Sequence, residues 1–141
     1  MVDPENFHAR YESRILIVDD DPDCRLLITT LIERFGGEAT AVSDSSFALE
    51  AYRTHSVERP FDLILLDIRM PLLNGNHLAA QVRANGYQGM LAALTATEGG
   101  QEQNEKNVFD HYVLKQHLSA ESLKALLRKA GKNKAYSQKP G

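Results

Sequence analysis

The chain has 141 residues, in which 16 Lys and Arg face 19 Asp and Glu for a net charge of −3, and 43% of residues are hydrophobic and 25% charged. This is the composition of one globular domain, long enough to bury a core without staples. The single cysteine, Cys24, excludes an intramolecular disulfide and fits a reducing, cytoplasmic compartment. No run approaches the ~18 apolar residues of a membrane span, and the mild acidity argues against direct contact with nucleic acid.

Residues 1–12 are polar and mixed, without the apolar stretch of a secretory signal, and are expected to be a flexible leader. Ile15-Leu16-Ile17-Val18 is an unbroken apolar run that stops at Asp19-Asp20-Asp21, the pattern of a strand covered on both faces. Asp21-Pro22 opens a helix whose stripe is Leu27, Ile28, Leu31, Ile32 and Phe35, ended by Gly36-Gly37. Ala39 to Val42 is a weak second strand, and Ser45 to Thr54 a helix with Ala48, Ala51 and Tyr52 inward. Phe61 to Leu66 is the strongest strand and runs into Asp67. A turn over 71–75 leads to a third helix, with Asn74 at its cap and Leu73 and Leu78 at staple positions. Met90 to Leu94 ends at Thr95, and His111 to Leu114 ends at Lys115. The last helix is capped by Ser119, stapled by Leu118 and Leu123, striped by Leu123, Leu126, Leu127 and Ala130, and expected to end at Gly131. Residues 131–141 form a basic polar tail with no apolar period, expected to be disordered.

Five β-α alternations imply a doubly wound α/β fold, a parallel sheet with helices on both faces. In such sheets ligands bind at the carboxyl ends of the strands. That rule selects Asp19 and Asp20 after the first strand, Asp67 after the third, Thr95 after the fourth and Lys115 after the fifth. Three packed acids resist ionisation unless a cation compensates. An open all-oxygen site suits Mg²⁺. With a lysine beside it, such a site would neutralise a phosphoryl group, and one aspartate would be free to attack phosphorus.

The pieces Ile15-Leu-Ile-Val-Asp-Asp-Asp21, Asp67-Ile-Arg-Met-Pro71 with Asn74-Gly75, Leu94-Thr95-Ala96 and Tyr112-Val-Leu-Lys115 each stand, in order, at an expected strand end. Together they resemble the CheY-like response-regulator receiver domain of two-component signalling, over residues 13–130. The resemblance implies a (βα)5 flavodoxin-like fold with strand order 2-1-3-4-5. It implies that Asp67 is the phosphoacceptor and that Asp19 and Asp20, with Asp67 and the backbone carbonyl of Arg69, bind Mg²⁺. Thr95, Ala96 and Lys115 match the residues that receive the phosphoryl group, and Tyr112 the switch aromatic. Arg69 and Thr97 match the positions that tune phosphate lifetime. The implied partners are a histidine kinase or histidine phosphotransfer protein, and downstream a protein partner or linked output domain. The chain would catalyse only its own phosphorylation and dephosphorylation.

Two features depart from the family. Gln116 stands where the family has a proline joined by a cis bond; cis before a non-proline costs about 3 kcal/mol, so a trans bond is expected. Glu98 to Asn107 contains no apolar side chain. The family has a helix there that contributes to its output face. A helix that buries nothing is marginal in water, so this one is expected to be short, displaced or mobile. The competing readings are a non-phosphorylated interaction module of the same fold and an aspartate-nucleophile phosphatase. The latter needs an acid two residues after the nucleophile, where Arg69 stands. A calcium loop beginning at Asp19 fails because Cys24 and Thr30 occupy its glycine and acid positions.

Overall fold

The computed structural model describes residues 13–55, 59–68, 75–96 and 108–138. Their order is β1 (Arg14–Val18), α1 (Pro22–Arg34), β2 (Glu38–Val42), α2 (Ser45–His55), β3 (Leu63–Asp67), α3 (Gly75–Ala84), β4 (Met90–Thr95), β5 (His111–Leu114), a 3₁₀ turn (Lys115–His117) and α4 (Ala120–Gln138). The strands form one sheet in the order β2-β1-β3-β4-β5, and every pair is parallel. This is the expected doubly wound architecture.

The apolar runs are unbroken because alternate residues serve opposite faces and both faces are covered. Leu16, Val18, Ile64, Leu66, Leu91 and Ala93 point to one side, where Ala48 and Tyr52 of α2 and Leu78, Ala79 and Val82 of α3 meet them. Ile15, Ile17, Leu63, Leu65, Ala92 and Leu94 point to the other, against Ile28 and Ile32 of α1 and Leu123, Leu126 and Leu127 of α4. Each fully buried Leu or Ile contributes about 1.5–3 kcal/mol of transfer free energy, so β1, β3 and β4 form the stiff centre of the molecule.

The helix starts are encoded locally. Asp21 caps α1, accepting from the Asp23 N–H at 3.0 Å, with Pro22 as the first helical residue. Asp44 caps α2 by accepting from the N–H groups of Ser46 and Phe47 at 2.9 and 3.1 Å. Ser119 and Ser122 exchange hydrogen bonds of 3.0 Å at the start of α4. After α1 the chain turns at Gly36, whose φ of 88° suits glycine.

Four expectations are corrected. Leu27, placed on the inward stripe of α1, is 45% exposed. The buried row is Cys24, Ile28 and Ile32, four residues apart, with Leu31 partly buried beside it, and Leu27 falls outside that face. β3 begins at Leu63 rather than Phe61: the last ties to the head of β1 are made by Asp62, whose N–H bonds the Arg14 carbonyl and whose carboxylate accepts the Arg14 N–H, both at 2.8 Å. β4 runs through Thr95, so that residue closes the strand instead of following it. The last helix continues past Gly131 to Gln138. A mid-helix glycine costs about 1 kcal/mol relative to alanine, which weakens a helix without ending it. The Lys115–Gln116 bond is trans, and no cis peptide occurs among the described residues. The leader 1–12, the 71–75 turn with Leu73 and Asn74, and the polar 98–107 stretch fall outside the described residues, apart from the backbone of Gly75.

Candidate functional site

Parallel register carries the strand ends to one rim. Asp67, the last residue of β3, lies level with Leu94, and the following Ile68 N–H bonds the Leu94 carbonyl at 3.2 Å. Thr95, the last of β4, lies level with Leu114, so Lys115 emerges directly beside it. Asp19 follows β1, and its N–H bonds the Val42 carbonyl of β2 at 3.2 Å. The rim is nearly closed to solvent at its base: Asp19 is 0%, Thr95 3% and Asp67 5% exposed, whereas Asp20 is exposed.

The carboxylates of Asp19, Asp20 and Asp67 come together, with one oxygen of each within 4.8 Å of the others. Lys115 bridges two of them: its ammonium is 2.9 Å from Asp19 Oδ2 and 3.1 Å from Asp67 Oδ2. Burial resists ionisation of Asp19. The Asp21 N–H, the Cys24 thiol and Lys115 outweigh it and hold the carboxyl below the ordinary carboxylate range. Burial also works against the Lys115 ammonium, but its two carboxylate partners push its pKa above the usual lysine value. Cys24 goes the other way. Burial and the adjacent Asp19 raise its pKa to about 12, so it remains a neutral thiol.

The donor set fits a hard divalent cation. Oδ1 of Asp19 accepts the Asp21 N–H at 2.9 Å. Oδ2 is fully buried and, although ion-paired with Lys115, has no hydrogen bond directed at it among the described residues. A buried, ionised carboxylate aimed by a backbone N–H, beside two further acids, is a ligand position for a cation that prefers oxygen.

The expected residues among those described each have a definite place. Asp19, Asp20, Asp67 and Lys115 converge, with Thr95 at the same rim and the exposed Ala96 next to it. Tyr112 is half-buried on β5, level with Ala93, with its ring edge-on to Phe109 at 5.8 Å. Arg69 and Thr97 lie outside the described residues. Two neighbours of Asp19 were not anticipated as site residues. Sequence patterning assigns neither Cys24 nor Arg25 a role at the site, although the Cys24 thiol bonds the Asp19 carboxylate and Arg25 Nη1 donates to the Asp19 carbonyl at 2.7 Å. The signal was their position in the first turn of α1, which folds back over the end of β1.

A carboxylate cluster, a lysine and a hydroxyl at the strand ends of an open parallel sheet define a class of proteins: those that hold a divalent cation and a phosphoryl group on one rim. Comparison with known proteins is more specific. The model of the response regulator receiver domain matches residues 15–131. The chain is 35% identical over 99 residues to the sensor histidine kinase GacS of Pseudomonas protegens, covering 67% of this chain and 10% of that protein. It is 32% identical over 133 residues to the transcriptional regulatory protein ResD of Bacillus subtilis, covering 89% and 52%. Among solved structures it resembles the response regulator TrrA of Thermotoga maritima in complex with Mg²⁺-BeF, at 27% identity and a TM-score of 0.71 over 84% of this chain and 98% of that one. A receiver domain from Clostridium thermocellum shares the fold, with a TM-score of 0.77 at 22% identity over 89% and 99%. The chain belongs to the response-regulator receiver-domain family of two-component systems. It spans from about a tenth to about half of the length of these two curated relatives.

Proposed function

We propose that Asp67 is the phosphoacceptor of this receiver domain and takes its phosphoryl group from a phosphohistidine on a histidine kinase or a histidine phosphotransfer protein. The observation that carries this reading is the Lys115 ammonium, 3.1 Å from Asp67 Oδ2 and 2.9 Å from Asp19 Oδ2. A cation fixed beside a buried carboxylate is placed to meet the charge that arrives with a phosphoryl group. An Asp67 oxygen attacks phosphorus, the P–N bond breaks, and the imidazole leaves with the electron pair. Lys115 then pairs with a phosphoryl oxygen, the Thr95 hydroxyl donates to another, and the small Ala96 leaves room for the group.

Asp19, Asp20 and Asp67, with the carbonyl of Arg69, would hold Mg²⁺, which supplies charge neutralisation at the phosphoryl oxygens when bound. Asp19 is already ionised and aimed by the Asp21 N–H. Catalysis in this reading is confined to the domain's own phosphorylation and dephosphorylation, with Arg69 and Thr97 as the side chains that set the lifetime of the phosphate. The new charge at Asp67 biases a two-state surface in which Thr95 and Tyr112 take part, read by a downstream protein or a linked output domain. The working unit is 13–130, and its site of action is the cytoplasm; no helix among the described residues is long and apolar enough to cross a membrane.

The test is intact mass after incubation with Mg²⁺ and a small phosphodonor. The chain gains one phosphoryl group, and Asp67→Asn gains none. An unmodified wild-type chain would favour the non-phosphorylated interaction module.

A further inference from the structure

We propose that Arg25 is a positioning residue for Asp19, fixing the peptide plane from which this acid reaches into the pocket. Asp19 lies one residue past β1, where its carbonyl has left the strand ladder. Its N–H is still tied to the Val42 carbonyl at 3.2 Å. Its carbonyl is held instead by Arg25 Nη1 at 2.7 Å, a donor from the first turn of α1. The carboxylate is then oriented by the Asp21 N–H on Oδ1 at 2.9 Å, which leaves Oδ2 facing Lys115. The plane of the residue is thus clamped on both sides, by β2 through the N–H and by α1 through the guanidinium. A hydrogen bond from a charged donor is about twice as strong as a neutral one, and Asp19 is fully buried, so no water can replace it at low cost.

The sign of the effect separates this role from a simple field effect. Arg25 is a cation bound to the backbone of one of three clustered acids. If it acted only through its charge, removing it would make the pocket more negative and tighten Mg²⁺. If it acts by aiming Asp19, removing it weakens Mg²⁺ in spite of the charge. The proposal uses the metal-site part of the reading above, and its test separates the two.

Mg²⁺ alone is titrated calorimetrically into the whole chain. Wild type binds. Arg25→Met, which keeps the aliphatic stem but loses donor and charge, binds about tenfold more weakly, the scale expected when an outer partner of a metal ligand is lost. Arg25→Lys, which restores a charged donor, recovers most of the affinity. With a small phosphodonor, Arg25→Met shifts the Mg²⁺ concentration for half-maximal phosphorylation upward. Circular dichroism checks folding, and Arg25→Gln, polar but too short to reach, takes the place of the Met variant if that one does not fold. Equal or tighter Mg²⁺ binding by the folded variant overturns the proposal, as does a wild-type chain that binds no Mg²⁺. A wild-type chain that binds Mg²⁺ but takes no phosphoryl group overturns the phosphoacceptor reading, and the titration still decides the role of Arg25.

Discussion

Lys115 and Asp19 come from opposite ends of the chain and meet at 2.9 Å, with the lysine on the edge side of β4 and the acid on the far side of β3. The contact closes the rim from β1 to β5, across the two strands between them. It also means that the lysine stands where a metal ion must gain charge contact with Asp19.

The first prediction follows from that competition. Lys115→Met removes a cation from the acidic cluster, so Mg²⁺ affinity rises by several-fold, because unit charges a few ångströms apart interact by about 1–4 kcal/mol at solvent-screened sites. Phosphorylation of Asp67 slows at the same time, since the group that pairs with the incoming phosphoryl oxygen is gone. Calorimetric Mg²⁺ titration and intact mass against time read the two effects separately. Weaker Mg²⁺ binding in this variant would show that Lys115 organises the acids more than it competes for them.

The same pair sets a dependence of stability on pH. Asp19 is held below the ordinary carboxylate value of 3.8, against its burial, by Asp21, Cys24 and Lys115. The unfolded chain therefore binds this proton first, and the contribution of Asp19 is full above that value and is lost as pH falls through the folded one. Lys115 is raised above 10.5, so its contribution is full below that value and is lost as pH rises through the folded one. Urea midpoints measured across pH should show a plateau with both limbs. Asp19→Asn flattens the acid limb, and Lys115→Met flattens the alkaline limb and part of the acid one. Unchanged limbs in both variants would assign the pH dependence to other groups.

A third prediction concerns packing away from the rim. Tyr87 is buried, bonds the Met90 carbonyl through its hydroxyl at 2.9 Å, and meets Tyr52 edge-on at 5.8 Å. The Arg83 guanidinium lies over its ring at 5.4 Å. A Cβ at Gly89 would stand 2.6 Å from Tyr87 Cζ and 2.8 Å from Cε1. The ring cannot yield without breaking these contacts. Gly89→Ala is expected to cost about 1–3 kcal/mol by overpacking, read as a lower urea midpoint. Mg²⁺ binding is unchanged, because Gly89 lies at the start of β4 and the acids lie at the far end of the sheet.

The strands were legible because β1, β3 and β4 are covered on both faces, so Ile15–Val18, Leu63–Leu66 and Met90–Leu94 could contain nothing polar. Once those strands were placed, the strand-end rule pointed to Asp19, Asp67, Thr95 and Lys115 without reference to contacts. Contacts that depend on side-chain reach were not legible. Nothing in the spacing distinguishes Leu27 from Ile28, since both fit a helical stripe; which one is covered depends on the angle at which α1 meets the sheet. Arg14 is only 5% exposed because its side chain bonds the Arg59 carbonyl and stacks over Phe61 at 5.0 Å, while Glu38 lies 3.6 Å away. A charged residue at the head of an apolar run gives no hint of that shelter. Arg25 was missed for the same reason, because its partner is a backbone carbonyl.

The unequal burial of the strands has a mechanical consequence. Every described side chain of β1, β3 and β4 is buried, whereas β5 is only half-buried along its length and leads straight into the 3₁₀ turn that begins with Lys115. Asp19 and Asp67 are therefore mounted on the buried centre of the sheet, and Lys115 on one of its two half-buried edges. The pocket works like a vice with one fixed jaw and one sliding jaw. If Asp67 is phosphorylated as proposed, the added charge is expected to move the β5 side, the flank that carries Tyr112, more than the buried strands beneath Asp19 and Asp67.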